Sequence, residues 1–136
     1  MIRQAILCLD DEVIIVEALR QELKEKFGGL FRYETALSSI EAEELLGELS
    51  SEGVRVILII SDWLMPGMKG DEFLALVKER HPEIRAIMIT GHADAAAIAR
   101  VLGGGLADCV LHKPWNSAEL TGAVERCLRG IGGEVD

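Results

Sequence analysis

Asp10 and Asp11 follow one short apolar run of the sequence, Asp62 follows another, Thr90 closes a third, and Lys113 follows a fourth. Carboxylates gathered within a few ångströms cannot all stay ionised without compensation. A hard divalent cation supplies it. Magnesium prefers oxygen ligands in an octahedron, keeps several waters, and typically takes one or two carboxylates plus phosphoryl oxygens. Lys113 would add a compact positive charge, and Thr90 a hydroxyl donor. Such groups can hold a phosphoryl group that a carboxylate nucleophile has accepted.

Whether these residues meet depends on the elements that carry them. The runs Ala5–Leu9, Phe31–Leu37, Val54–Ile60, Ala86–Ile89 and Ala107–Leu111 have strand length, and most are rich in Ile, Val and Leu. Residues 54–60, VRVILII, are apolar almost without interruption, which suits a strand covered on both faces. Helical patterns lie between the runs. Val16, Leu19, Leu23 and Phe27 recur at helical spacing before Gly28-Gly29. Ser38 or Ser39 can cap a second helix with Ala42, Leu45, Leu46 and Leu49 inward. A third runs from about Asp71 to Arg80, with Phe73, Leu74 and Val77 inward, and His81-Pro82 ends it. A fourth starts near Asp94 and carries Ile98, Val101 and Leu102 before Gly103-Gly104-Gly105. The fifth starts at Asn116 or Ser117 and aligns Leu120, Val124, Cys127 and Leu128.

Strict alternation of five strands and five helices predicts a doubly wound α/β sandwich with helices on both faces of a parallel sheet. In such sheets ligands bind beyond the carboxyl ends of the strands, at the point where strand order reverses. With the order 2-1-3-4-5, the first and third strands are neighbours there, and Asp10, Asp11 and Asp62 crowd into one cleft.

Each of these residues also has a plainer reading. Asp10-Asp11-Glu12 serves equally as a helix start with acids favoured by the dipole. Asp62, ahead of Pro66-Gly67, serves as a turn residue. Thr90-Gly91 serves as loop, and Lys113 as a solvated lysine. Jointly these readings require unconnected residues to fall at the ends of the right strands by accident.

The 136 residues suffice for one domain, and 49% hydrophobic with 27% charged residues is a globular balance. A net charge of −9 disfavours direct binding to nucleic acid or an anionic membrane. No apolar run is long enough to span a bilayer, and the N-terminus reaches two acids too soon for a signal peptide. Cys8, Cys109 and Cys127 have neither disulfide nor zinc spacing and read as reduced core thiols of a cytoplasmic protein. His81, His92 and His112 lack metal-ligand spacing; His92 sits at the cleft rim, where it reads as a solvated loop residue or as a guide for water.

The blocks LCLDDE, SDWLMPGMKGDEFL, IMITGHAD and HKPW, in this order, resemble the signature blocks of response-regulator receiver domains. The resemblance covers about residues 3 to 129 and implies a flavodoxin-like (βα)5 sandwich. It makes residues 1–129 a receiver domain, and residues 130–136 a tail or the start of a linker to an effector domain. Residue by residue, it implies that Asp62 is the phosphoacceptor, Asp11 a direct metal ligand, and Asp10 a ligand acting mostly through water. The Leu64 carbonyl becomes the third protein ligand, Thr90 the hydroxyl switch and Lys113 the family's lysine. The implied cofactor is Mg2+, with Mn2+ as a substitute. The implied partners are a sensor histidine kinase or histidine phosphotransfer protein, and an effector domain or second copy on the face formed by helix 4, strand 5 and helix 5. The resemblance also implies a cis Lys113–Pro114 bond.

One position departs from the family pattern. Val110 stands where the family usually carries Tyr or Phe, three residues before the lysine. The usual aromatic switch has no ring to act through, so activation is expected to work by ordering the segment from about Asp94 to Leu106. Such a domain is a signalling module whose only chemistry is phosphoryl transfer to itself and loss of that group. Two other readings remain. A phosphatase of the haloacid-dehalogenase type would need D-x-D after the first strand, where this chain has Asp10-Asp11-Glu12. A degenerate receiver used only for docking would not need the complete set of Asp10, Asp11, Asp62, Thr90 and Lys113.

Overall fold

The computed structural model describes residues 2–63, 68–91 and 95–129. Five strands are present, β1 (Gln4–Leu9), β2 (Arg32–Ala36), β3 (Arg55–Asp62), β4 (Arg85–Thr90) and β5 (Cys109–His112). They alternate with α1 (Val13–Phe27), α2 (Ser39–Ser51), α3 (Gly70–Arg80), α4 (Ala95–Gly103) and α5 (Ser117–Arg129). All four strand pairings are parallel, and the order is β2-β1-β3-β4-β5, as the alternation predicts.

Two apolar layers sandwich the sheet. One joins Ala5, Leu7, Leu9 and Ile59 to Ala42 and Leu49 of α2, Phe73 and Val77 of α3, and Val101 of α4. The other joins Ile6, Cys8, Leu58 and Ile60 to Val16, Leu19 and Leu23 of α1 and Leu120, Val124 and Cys127 of α5. Phe73 is fully buried, and truncating such a ring to alanine costs about 3–5 kcal/mol. The register of β3 against β1 slips once, so that Ala5 faces Val56 and Ile6 faces Leu58. Ile57 is the extra residue of this bulge. It resets the alternation, so that Ile57 and Leu58 both pack on the α1/α5 side. Beyond the bulge Leu9 pairs with Ser61, which sets Asp10 beside Asp62 one step further on.

Element ends follow local chemistry. Ser38 caps α2, its Oγ accepting from the Glu41 amide at 3.1 Å. Gly28 ends α1 at φ +57°, a conformation glycine adopts without strain. The fifth helix begins at Ser117, with the Asn116 Oδ1 accepting from the Glu119 amide at 2.8 Å.

Most element bounds shift by a residue or so from the expectation, and three of the differences have a cause in pairing or packing. The third strand runs on to Asp62 rather than ending at Ile60, because Ser61 and Asp62 still pair with Met88 and Ile89. The fifth strand is Cys109–His112 rather than Ala107–Leu111; pairing begins only where Cys109 meets Ile87. The buried residues of α4 are Ala97 and Val101, whereas Ile98 is half-buried and Leu102 exposed. Ala97 and Val101 are one turn apart and form the contact stripe; Leu102 stands about 100° round from Val101 and leaves it. Residues 130–136, expected as tail or linker, lie outside the described residues.

Candidate functional site

Asp10 is buried at the carboxyl end of β1, where its amide donates to the Ala36 carbonyl of β2 at 3.2 Å. Its two carboxylate oxygens do different jobs. Oδ1 accepts from the Glu12 amide at 2.9 Å, turning the chain into α1. Oδ2 accepts from Lys113 Nζ at 2.8 Å. One oxygen thus holds the turn that leads into α1, although Glu12 and not Asp10 is the residue at the helix start, and the other faces Lys113. Lys113 Nζ also stands 3.2 Å from Asp62 Oδ1, bridging two carboxylates from neighbouring strands. Asp11 is exposed, and one oxygen from each of Asp10, Asp11 and Asp62 falls within 4.8 Å of the others.

The electrostatics follow from this geometry. Burial raises the Asp62 pKa above its ordinary value, and the Asp10 charge pushes the same way; Lys113 and the Trp63 amide offset only part of this. For Lys113, burial alone would lower the pKa, but Asp10 and Asp62 outweigh it and raise the value. The ammonium is therefore the stable form. The site is one cation among acids, short of positive charge. That donor set fits a hard, oxygen-seeking divalent cation.

Thr90 is buried at the end of β4. Its carbonyl accepts from the Lys113 amide at 2.8 Å, which ties the start of the β5–α5 turn to β4. Asp62 pairs with Ile89, so Thr90 lies one step further along the neighbouring strand. The structure thus gathers Asp10, Asp11, Asp62 and Lys113, and attaches Thr90 to Lys113 through the backbone. Leu64 and His92 lie outside the described residues. The Lys113–Pro114 bond is cis, as the resemblance implies. Val110 is half-buried and packs against the layer that includes Val101 of α4.

Sequence reasoning assigned no role to Gly70. A Cβ there would strike the Asp62 carbonyl oxygen and come within 2.9 Å of the Trp63 Cα. The Gly70 amide donates to the Trp63 carbonyl at 2.6 Å, and Ser61 Oγ donates to the Asp62 carbonyl at 2.9 Å. The first turn of α3 is thus pressed against the backbone of Asp62. The available signal was a glycine at a helix start with no short polar cap before it. Gly70→Ala is expected to push α3 away from Asp62 and lower stability by about 1–3 kcal/mol, the usual range for overpacking. Denaturant unfolding reads this directly, and an unchanged midpoint would show that α3 can yield freely.

Five parallel strands with acids at the central carboxyl edge and a lysine arriving from β5 define a doubly wound α/β domain with an acidic cleft beside one lysine. Residues 6–125 match the family model of the response regulator receiver domain. The chain belongs to that family. It is 37% identical over 132 residues to the hydrogenase transcriptional regulatory protein HoxA of Cupriavidus necator, an alignment covering 96% of this chain and 25% of that protein. It is 34% identical over 93 residues to the sensor kinase CckA of Brucella abortus, covering 68% of this chain and 9% of that protein. The chain therefore spans about a quarter or less of these curated relatives. Among solved structures, the signal receiver domain of an HD domain-containing protein from Pseudomonas fluorescens superposes with a TM-score of 0.83 at 29% identity, covering 97% and 99% of the two chains. The beryllofluoride-activated NtrC4 receiver domain dimer superposes at 0.81 with 26% identity, covering 93% and 97%.

Proposed function

We propose that Asp62 is the phosphoacceptor of this receiver domain. The observation that carries the reading is the placement of Lys113 Nζ, 2.8 Å from Asp10 and 3.2 Å from Asp62, at the carboxyl edge of the sheet. An Asp62 oxygen attacks the phosphorus of a phosphohistidine on a sensor kinase or phosphotransfer protein, and the imidazole nitrogen leaves. Lys113 neutralises charge on the transferring oxygens, and the Thr90 hydroxyl donates to one of them afterwards. Asp10, Asp11 and Asp62, with the Leu64 carbonyl, are the residues that would hold Mg2+. When bound, the ion supplies charge neutralisation to the incoming phosphoryl group. Hydrolysis of the acyl phosphate on the same domain resets it, so the domain signals rather than turning over a separate substrate.

The new phosphoryl group carries roughly −1.5 to −2 charges and draws Thr90 and Lys113 toward it. Both are tied to the segments that follow β4 and β5, so the signal leaves through α4, β5 and α5. That face would bind an effector domain or a second copy. A phosphohistidine donor on a kinase supports a cytoplasmic site of action for the domain. Among the described residues no helix is long and apolar enough to cross a membrane.

Calorimetric titration tests the acidic cluster. Wild-type protein is expected to bind Mg2+ at a single site. Asp11→Ala should weaken binding by roughly tenfold or more, since even outer partners of a metal site cost about 10–100-fold. Equal affinity in the two proteins would remove Asp11 from the ligand set.

A further inference from the structure

The turn between β5 and α5 carries Lys113, and it is fastened from a helix distant in sequence. Glu22, half-buried on α1, accepts from the Trp115 indole Nε1–H at 3.0 Å. The same oxygen, Oε1, accepts from the Ser117 hydroxyl at 3.0 Å. One carboxylate oxygen thus holds both sides of Asn116, 93 and 95 residues further along the chain. Upstream, the Lys113 amide is fixed to the Thr90 carbonyl at 2.8 Å. Within the turn, Asn116 and Glu119 cap one another at 2.8 and 3.1 Å. An ion pair between α1 and α5, Lys26 with Glu125 at 3.7 Å, is exposed and lies further along α5.

We propose that Glu22 is a positioning residue for phosphoryl transfer, pinning the β5–α5 turn and thereby setting where Lys113 Nζ stands over Asp62. A lysine side chain is a flexible four-carbon stem, so the precision of its charge depends on how firmly its backbone is held. Hydrogen bonds to a carboxylate are about twice as strong as neutral ones, which suits Glu22 for clamping a turn. The pair Glu22–Trp115 also lines the cleft that opens beside Lys113 and Pro114, so the clamp sits next to the residue it positions. This inference rests on the reading of Asp62 as phosphoacceptor and Lys113 as its neutralising partner.

The test is the rate at which full-length variants of this chain are labelled by a small-molecule phosphodonor at saturating Mg2+. Glu22→Ala is expected to slow labelling by about tenfold, since a displacement of one ångström can cost on the order of 100-fold. Glu22→Gln keeps one oxygen able to accept both bonds and should label within about twofold of wild type. In a Lys113→Met background, Glu22→Ala should slow labelling no further, which a merely structural role would not predict. The Trp115 indole proton should exchange faster in Glu22→Ala and stay protected in Glu22→Gln. Should Glu22→Ala fail to fold, Trp115→Phe combined with Ser117→Ala removes both donors and is expected to slow labelling equally. Wild-type labelling in whichever of these folds, equal slowing in Glu22→Gln and Glu22→Ala, or slowing that persists without Lys113 would overturn the proposal. A wild-type protein that takes no label at all would instead overturn the functional reading, and this inference with it.

Discussion

Lys113→Met is expected to slow phosphorylation of this domain by about 100- to 1000-fold, the usual cost of removing a charge-stabilising donor from a preorganised site. The substitution keeps most of the stem's volume and removes the only positive charge set between Asp10 and Asp62 among the described residues. Two consequences add. The transferring oxygens lose their neutralising partner, and Asp62 loses the main influence that opposes its raised pKa. Stopped-time intact-mass measurement of the phosphorylated fraction gives the rate, and circular dichroism checks that the variant is folded. A folded Lys113→Met that labels within about threefold of wild type would show that Mg2+ alone carries the neutralisation.

The same charge imbalance predicts an unusual stability profile. Burial and Asp10 hold the Asp62 pKa above the ordinary carboxylate value of about 3.9. A carboxyl group whose folded pKa is raised stabilises the fold at pH values below its unfolded pKa. That contribution is lost as pH rises through the folded value. Metal-free wild type should therefore lose stability over that window, and Asp62→Asn, which cannot ionise, should not. At neutral pH the variant is expected to be more stable by on the order of 1 kcal/mol, within the usual range of single substitutions. The two should converge in acid. Adding Mg2+ should stabilise wild type more than the variant and narrow the gap, because binding to the folded state alone raises stability by mass action. Thermal melts across pH, with and without Mg2+, measure all of this. An Asp62→Asn protein less stable than wild type at neutral pH would mean that Lys113 outweighs both burial and Asp10.

Much of this site was legible because the period of the sequence and the order of its residues carried it. The alternation of apolar runs with helical patterns implied a parallel sheet, and the acids and the lysine fell at the ends of those runs. Given the order 2-1-3-4-5, their meeting at one edge followed. What could not be read depends on register and on contacts between distant elements. The bulge at Ile57, which resets which residues of β3 face α1 and α5, has no signature inside a uniformly apolar run. The close approach of Gly70 to Asp62 depends on how α3 is docked, not on its composition. The buried stripe of α4 runs through the small Ala97 rather than Leu102, because the angle at which a helix meets a sheet decides which apolar residues are covered. The contacts of Glu22 depend on the turn after β5 packing against α1, which nothing in the sequence of α1 signals.

The central claim is that one particular carboxylate, that of Asp62, takes the phosphoryl group. Borohydride reduces an acyl phosphate to the corresponding alcohol, so an aspartyl phosphate becomes homoserine at the position that was phosphorylated. Wild-type protein labelled by a small-molecule phosphodonor with Mg2+, reduced, digested and sequenced by mass spectrometry is predicted to carry homoserine at position 62 and at no other aspartate. Homoserine at position 10 or 11, or none after labelling conditions that modify other receiver domains, would contradict the account.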